Sequence, residues 1–357
     1  MTLAGTPRAA SSGLRRRVLG LLFATALAFG GSAQFSRAET LHEKLSVPSS
    51  GKIELLSCVT AHVTGLNIQN LDDVLKLREQ LLGIGMTDAA FRSWEYLEQL
   101  GAKKKPRVVP PPPPGANGVR VFPDWHNVSV AFDGERFSQI DTYAGGQTTQ
   151  TLVATSASDA IFSKSNGAVG SAEHYEPGLS RRTRLDSYWL MSRSKTLFAF
   201  DYQLVQRGEN QLYSAVVNKE RKLETHLFVN RDQDAIYAAA ITSPTRVVQF
   251  ALYWGETAGD RRAPRYVLRF QARPGEGEWS VHARLIQSAE LDGEIDPDRF
   301  KLGLPSGTTY VSYDEFGDSK AFRVKTAIDN FAGRTPFETV EMIKALEAAL
   351  RAVPPKE

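Results

Sequence analysis

Several residues in this 357-residue chain have types and spacings that could do chemistry. Ser192-Arg193-Ser194-Lys195 and Ser49-Ser50-Gly51-Lys52 both fit S-x-x-K, the spacing that sets a serine nucleophile one helical turn from an activating lysine. Neither has the K-T-G and S-D-N companions such an enzyme needs, and Thr196-Leu197 follows Lys195, so no catalytic residue is assigned and an enzyme is not expected. His42, His62, His126, His174, His226 and His282 are scattered without H-x-H, H-E-x-x-H or a cysteine partner, so no metal site is expected. His226 and His282 read as polar-face residues of strands. Asp292, Asp296 and Asp298 suggest a calcium loop, but Gly293 and Pro297 stand at the wrong offsets and no glutamate closes twelve residues, which points to turns. No G-x-S-x-G, Walker A or G-x-G-x-x-G fingerprint is present, and no cofactor is expected.

The chemistry must be placed in a compartment before it is placed on elements. Arg15, Arg16 and Arg17, the apolar run 18–29 and an A-x-A-like exit at Ala33 or Ala38 read as an export signal over residues 1–38. Gly30, Gly31, Ser32 and Gln34 keep the apolar part below the ~20 residues of a spanning helix. Cleavage leaves a periplasmic chain that is not an integral membrane protein, exported by a Sec or a twin-arginine route. The signal also accounts for the net charge of +3, because Arg8, Arg15, Arg16, Arg17 and Arg37 all precede Ala38 with no acid among them. The near-neutral remainder, its basic residues scattered except at 103–105 and 181–184, argues against a nucleic-acid partner. Cys58 is the single cysteine, so no intrachain disulfide is available, and its distance from the apolar run makes it a buried thiol rather than a lipidation site.

Five segments follow from the patterning: the signal 1–38, a helical N-terminal region 39–102, a basic and proline-rich linker 103–118, an antiparallel body 119–333 and a C-terminal helix 334–357. In the helical region Asn70 caps 71–82 with Asp72 and Asp73 in the first turn. Gly83 and Gly85 stop this helix, and Thr87 caps a second one carrying Phe91, Trp94, Leu97 and Leu100. The mixed stretch 52–66 has no clear type. Pro110 to Pro114 form a stiff spacer of about 15 Å, or a docking site for a proline-binding module. In the body, Val128, Val130 and Phe132 alternate with polar or small residues, and Asp133-Gly134 turns the chain into 135–143. A longer hairpin sets Tyr266, Leu268 and Phe270 against Trp279, Val281, Ala283 and Leu285. Segments 197–205, 212–217, 223–229, 235–241 and 247–254 add strands, the last apolar on both faces except for Gln249 and therefore covered on both sides. At the end, Thr335-Pro336-Phe337-Glu338 is a capping box with proline at its preferred place, followed by a stripe from Phe337 through Val353.

The stretch Val128-Ser129-Val130-Ala131-Phe132-Asp133-Gly134-Glu135-Arg136-Phe137 resembles the first hairpin of the outer-membrane lipoprotein-sorting (LolA/LolB-like) superfamily. Residues 295–308, with Asp296-Pro297 leading to Phe300-Lys301-Leu302-Gly303-Leu304-Pro305-Ser306-Gly307-Thr308, resemble that superfamily's closing pattern. The resemblance spans about 119–313. It implies an α+β fold in which a large curved antiparallel half-barrel, with N-terminal helices and a C-terminal helix, takes up a lipid or lipoprotein acyl chain. The chain is longer than the typical carrier and its proline linker separates helices from sheet, so no lid residue is carried over.

Covering an acyl chain in water is worth about 0.8 kcal/mol per CH₂, or about 12 kcal/mol for a chain of roughly 16 carbons, which a curved apolar sheet face can supply. The expected ligand-binding residues are Val130, Phe132, Tyr266, Leu268 and Phe270, with plain core packing as the alternative for each. The alternative function is a periplasmic sensor or scaffold of the same fold that binds an envelope protein through the proline segment and terminal helix.

Overall fold

The structure is a computed structural model that describes residues 48–58, 61–104, 125–134, 136–143, 148–165, 170–176, 202–206, 210–230, 235–260, 262–273, 277–313 and 318–352. The signal, the proline segment, the basic run 181–184, Ser192 to Lys195, residues 197–201 and the Pro274-Gly275 turn lie outside them.

The described residues form one large, mostly antiparallel sheet with few helices. In chain order its strands are β1 (Ser50–Cys58), β2 (Ala61–Thr64), β3 (Lys103–Lys104), β4 (Trp125–Asp133), β5 (Arg136–Tyr143), β6 (Thr148–Ala154), β7 (Asp159–Ser165), β8 (Ser171–Tyr175) and β9 (Gln203–Gln206). They continue as β10 (Asn210–Asn218), β11 (Leu223–Asn230), β12 (Ala235–Ser243), β13 (Arg246–Glu256), β14 (Pro264–Ala272), β15 (Glu278–Leu291), β16 (Thr309–Tyr313) and β17 (Ser319–Arg323). The helices are α1 (Leu71–Gly83), α2 (Asp88–Ser93), α3 (Glu95–Gln99) and α4 (Pro336–Ala352). Strands β9 to β15 run as a meander, β1 and β2 follow side by side on the far edge of the long β15, then β4 to β8 continue the sheet. Strand β16 joins β8 in parallel and β17 ends the sheet.

The N-terminal region expected to be helical therefore supplies a central strand: β1 lies between β15 and β4, with Ile53 and Leu55 on one face and Leu56 and Cys58 on the other. A strand buried on both faces has no period-two signature, which is why 52–66 had no readable type. In the β4–β5 hairpin Asp133 still pairs with Arg136, so the turn starts at Gly134 (φ +60°), one residue later than the Asp-Gly pair suggests. The second N-terminal helix is two helices, because Trp94 takes a left-handed φ of +67° where it packs among Tyr96 and Trp125.

Each face of the sheet has its own core. On one face, α1 to α3 cover β11 to β15, while α4 and residues 300–332 cover β4 to β8 and β16. On the other face, Tyr213, Leu227, Val229, Ala239, Ala251, Val267, Ile286, Ile53, Leu55, Val128 and Val130 form a single apolar layer across eight strands. No helix contributes to that layer, yet Ile53, Leu227, Ala239 and Ile286 have 0% exposure, so the face is enclosed. Register shifts at Glu54/Leu55, Phe228/Val229 and Ile241/Thr242 are the bulges that bend strands and raise their twist. Strand β13 has Phe250 and Leu252 in one core and Ala251 and Tyr253 in the other, as its two-sided apolar pattern requires.

Helix α4 carries the expected capping box: Thr335 N donates to Glu338 Oε2 (2.9 Å) and Glu338 N to Thr335 Oγ1 (3.2 Å). Its buried stripe is narrower than the pattern implies, since Val340 and Ile343 are buried whereas Phe337 is 70% exposed. Cys58 is buried and forms no disulfide among the described residues. Asp296 caps the 3₁₀ turn Pro297–Phe300, and Asp292 ties the β15 end to Arg262 (2.7 Å) and the Ser49 amide (2.8 Å), so these acids do form turns. Among the described residues no helix is long and apolar enough to cross a membrane, and no group of three or more His, Cys, Asp or Glu is placed to hold a metal.

Candidate functional site

The layer between the helices and the sheet is rich in aromatic residues. Its hub is Phe91 of α2, whose ring lies 4.9 Å from Tyr266, 5.7 Å from Tyr96, 5.8 Å from Trp125 and 5.9 Å from Trp254. Deeper, Phe250 stacks on Phe270 (4.4 Å, 10°) and meets Trp279 edge-on (5.2 Å, 72°), arrangements the aromatic quadrupole favours. Arg78 of α1 lies 4.4 Å over the Tyr237 ring, and burial lowers its pKa.

At the N-terminal end of α1 this layer meets a cleft of about 580 Å³. Leu66, Ile68, Val247, Ala272 and Trp279 supply its apolar wall, and Asn67, Gln69, Arg246, Arg273 and Glu278 its polar margin. The local sequence fixes this shape. Asn70 and Asp73 make a reciprocal capping box that starts α1, Gln69 N also donates to Asp73 Oδ2 (2.9 Å), and Val247 N donates to Gln69 O (3.2 Å). The Trp279 indole N–H donates to Leu66 O (3.3 Å), so one side chain both lines the cleft and pins its opposite wall. A concave space of this size, lined about equally by apolar and polar groups, lies in the size range of small-molecule sites.

The five expected binding residues fall on two faces. Tyr266, Leu268 and Phe270 come together in the helix-covered core behind the cleft, at 8%, 0% and 0% exposure. Val130 and Phe132 lie in the layer on the opposite face, at 1% and 5% exposure. The structure thus brings three of them together on the helix-covered face, none among the cleft's lining residues, and places the other two on the opposite face. Period two gives parity within a hairpin but does not relate one hairpin to another across intervening strands. Of the cleft's residues, Leu66 ends the untyped stretch 52–66 and Ile68 follows it before the first helix. Their alternation before the Asn70 cap was the available signal.

The face opposite the helices also carries a polar row that the sequence did not single out. Arg269 pairs with His282 across β14 and β15, and Arg284 follows on β15. Burial lowers the Arg269 pKa to about 10 and, with Arg269, Arg284 and His62 nearby, the His282 pKa to about 4. On β4 and β5, His126 Nε2 lies 3.2 Å from Asp141 Oδ1, and Gln139 donates to the same carboxylate at 2.9 and 3.0 Å.

No family model matches this chain, and no curated protein matches it. Among solved structures, it is similar to a DUF1329 family protein from Desulfovibrio piger, at 8% identity and a TM-score of 0.39 over 73% of this chain and 92% of that one. It is also similar to a LolA superfamily protein from Nitrosomonas europaea, at 11% identity and a TM-score of 0.39 over 73% and 96% of the two chains. A domain from Vibrio parahaemolyticus named for outer membrane lipoprotein sorting matches at 4% identity and a TM-score of 0.38, over 72% of this chain and 93% of that one. The likeness to all three is one of architecture.

Proposed function

We propose that this chain is an exported, periplasmic, non-enzymatic binding protein that takes up an acyl chain, free or on a lipoprotein, between α1 to α3 and the sheet. The observation that carries the reading is the cleft of about 580 Å³ walled by Leu66, Ile68, Val247, Ala272 and Trp279, whose Trp279 packs on Phe250 of the aromatic layer containing Leu268 and Phe270. Burying CH₂ groups there at about 0.8 kcal/mol each supplies the affinity, and the polar rim holds a head group at the surface. The short helices lie on the sheet through side-chain packing and a few hydrogen bonds, whereas the strands share backbone ladders, so the helical layer is the side that yields to a chain.

Gently purified protein should carry lipid in native mass spectrometry and should take up a fluorescent fatty acid. Ala272→Trp fills the cleft from a half-buried strand end and should abolish uptake without changing the melting temperature. Clean apoprotein that takes up no fatty acid, or undiminished uptake by Ala272→Trp, would overturn the reading.

A further inference from the structure

The hydrogen-bonding groups of the cleft are unequally used. Four of its acceptors are already taken: Leu66 O by the Trp279 indole N–H (3.3 Å), Gln69 O by Val247 N (3.2 Å), Glu278 O by Arg273 N (3.0 Å) and Asn67 Oδ1 by Gln69 Nε2 (2.9 Å). Its donors are largely unspent. Arg246 engages Ser243 through its backbone N–H and C=O (3.3 and 3.1 Å), and its guanidinium makes no hydrogen bond or ion pair among the described residues. The side-chain amide nitrogen of Asn67 likewise makes none among them. Arg273 places Nη1 3.2 Å from His62 Nδ1 and keeps the rest of its fork. A ligand that fits here must bring acceptors.

Charge points the same way. The lining holds two arginines and one acid, Glu278. Lys103 lies across β2 from Glu278, both paired with Thr64, and adds a third basic residue at this end of the sheet. Asp72 and Asp73 of α1 are not among the lining residues, and Asp73 accepts from the Gln69 and Asn70 amides (2.9 and 3.2 Å).

The backbone explains why Arg246 stands at the margin. Thr242 pairs with Val247 and Ile241 with Gln249, so Val248 is an extra residue in β13. That bulge brings Val247 onto the face that carries Phe250 and Leu252 and leaves Arg246 beside the apolar wall. A guanidinium fork matches carboxylate and phosphate oxygens in paired hydrogen bonds. A volume of about 580 Å³ is in the range for one small ligand.

We infer that the cleft selects a single-chain amphiphile with an oxyanionic head group, a carboxylate or a phosphate, and that Arg246 is the residue that pairs with it. The inference rests on the acyl-chain reading and narrows it to one class of ligand.

The test is calorimetric titration of the purified full chain with decanoate, decyl phosphate, decanol and decyltrimethylammonium, each below its micelle concentration. Decanoate or decyl phosphate should bind about tenfold or more tighter than decanol, the range for a hydrogen bond to a charged group. Preference for decanoate assigns a fatty-acid head, and preference for decyl phosphate a phospholipid head. Arg246→Gln should remove the preference and bring the anion down to the level of decanol, while Ala272→Trp should lose both. Arg246→Gln should melt with the parent, since its guanidinium has no bonded partner to lose. If that variant fails to fold, added sodium chloride should still weaken the anion on the parent chain and leave decanol unweakened. Equal binding of decanol and the anions, tighter binding of decyltrimethylammonium, or a preference that survives Arg246→Gln would overturn the inference and leave the acyl-chain reading standing. Binding of none of the four would overturn both.

Discussion

Asp88, the first residue of α2, accepts from the Arg265 guanidinium of β14 and, at 3.0 Å, from the Tyr266 hydroxyl next to it. The same arginine donates to Ile286 O (2.7 Å) on β15, so one carboxylate fastens the helical layer to two strands. The Asp88 pKa is lowered, first by the bond from Arg265, and the Arg265 pKa is raised by the same contact.

Asp88→Ala should therefore cost about 1 kcal/mol at neutral pH, a modest figure because the carboxylate is partly exposed and screened. A lowered carboxylate pKa contributes stability above the unfolded value near 4 and loses it as pH falls through the folded value. Urea midpoints of parent and variant should converge below pH 4. Hydrogen exchange should locate the loosening in α2 rather than in β14.

Leu268 has 0% exposure beneath α1 to α3, flanked by Tyr266 and Phe270. Leu268→Glu would bury a carboxylate without a partner and should leave the chain unfolded or cost about 3–5 kcal/mol. Phe270→Ala should cost a similar amount through the cavity left beside Phe250. Circular dichroism melts of both variants check this. If Leu268→Glu folds with the parent's stability, the helix-covered layer is open space rather than core.

What the sequence disclosed was local. The Asn70 and Thr335 caps and the β4–β5 hairpin depend on residues a few positions apart; both caps are present as read, Asp73 adds a reciprocal bond to the first, and the hairpin turns one residue later than Asp133-Gly134 implies. What it hid was set by distant register. Val130 and Leu268 occupy opposite faces because β4 meets β14 only through β1 and β15, and a bulge at Glu54/Leu55 changes the parity on the way. Strands β6 to β8 are built from Thr, Gln, Ser and short apolar runs that give little alternation, and the parallel pairing of β16 with β8 joins segments more than a hundred residues apart. The cleft needs three such segments brought together, so it has no motif.

Gly51 sits between Leu291 of β15 and Phe132 of β4 in one cross-strand row. A Cβ there would come within 2.7 Å of the Phe132 ring and 2.8 Å of Leu291 Cδ2. Gly51→Ala should then cost about 1–3 kcal/mol by overpacking, although alanine is otherwise the better strand residue. Phe132→Leu in the same chain should relieve part of the loss, and a double-mutant cycle on urea midpoints measures it. Independent, additive effects would mean that the ring does not occupy the space above Gly51.

His174 of β8 is buried at 0% exposure under the C-terminal layer, with Nδ1 2.8 Å from the Tyr310 hydroxyl and its ring edge-on to Phe331 at 5.0 Å. Burial lowers its pKa to about 4, opposed by a hydrogen bond to the backbone of Arg334. A buried neutral histidine leaves the unfolded chain holding a proton that the folded chain rejects between the two pKa values, so stability rises with pH across that window. As pH falls from about 6.5 to about 4 the parent should lose on the order of 3 kcal/mol from this residue, with no further loss from it below that range. His174→Phe removes the titration while keeping the aromatic packing, so its urea midpoint should be lower than the parent's at pH 7, where Tyr310 loses its partner, and should fall less on acidification. An unchanged slope in the variant would place the acid sensitivity elsewhere. His282, whose pKa is lowered to about 4 on the opposite face, is the second residue to test.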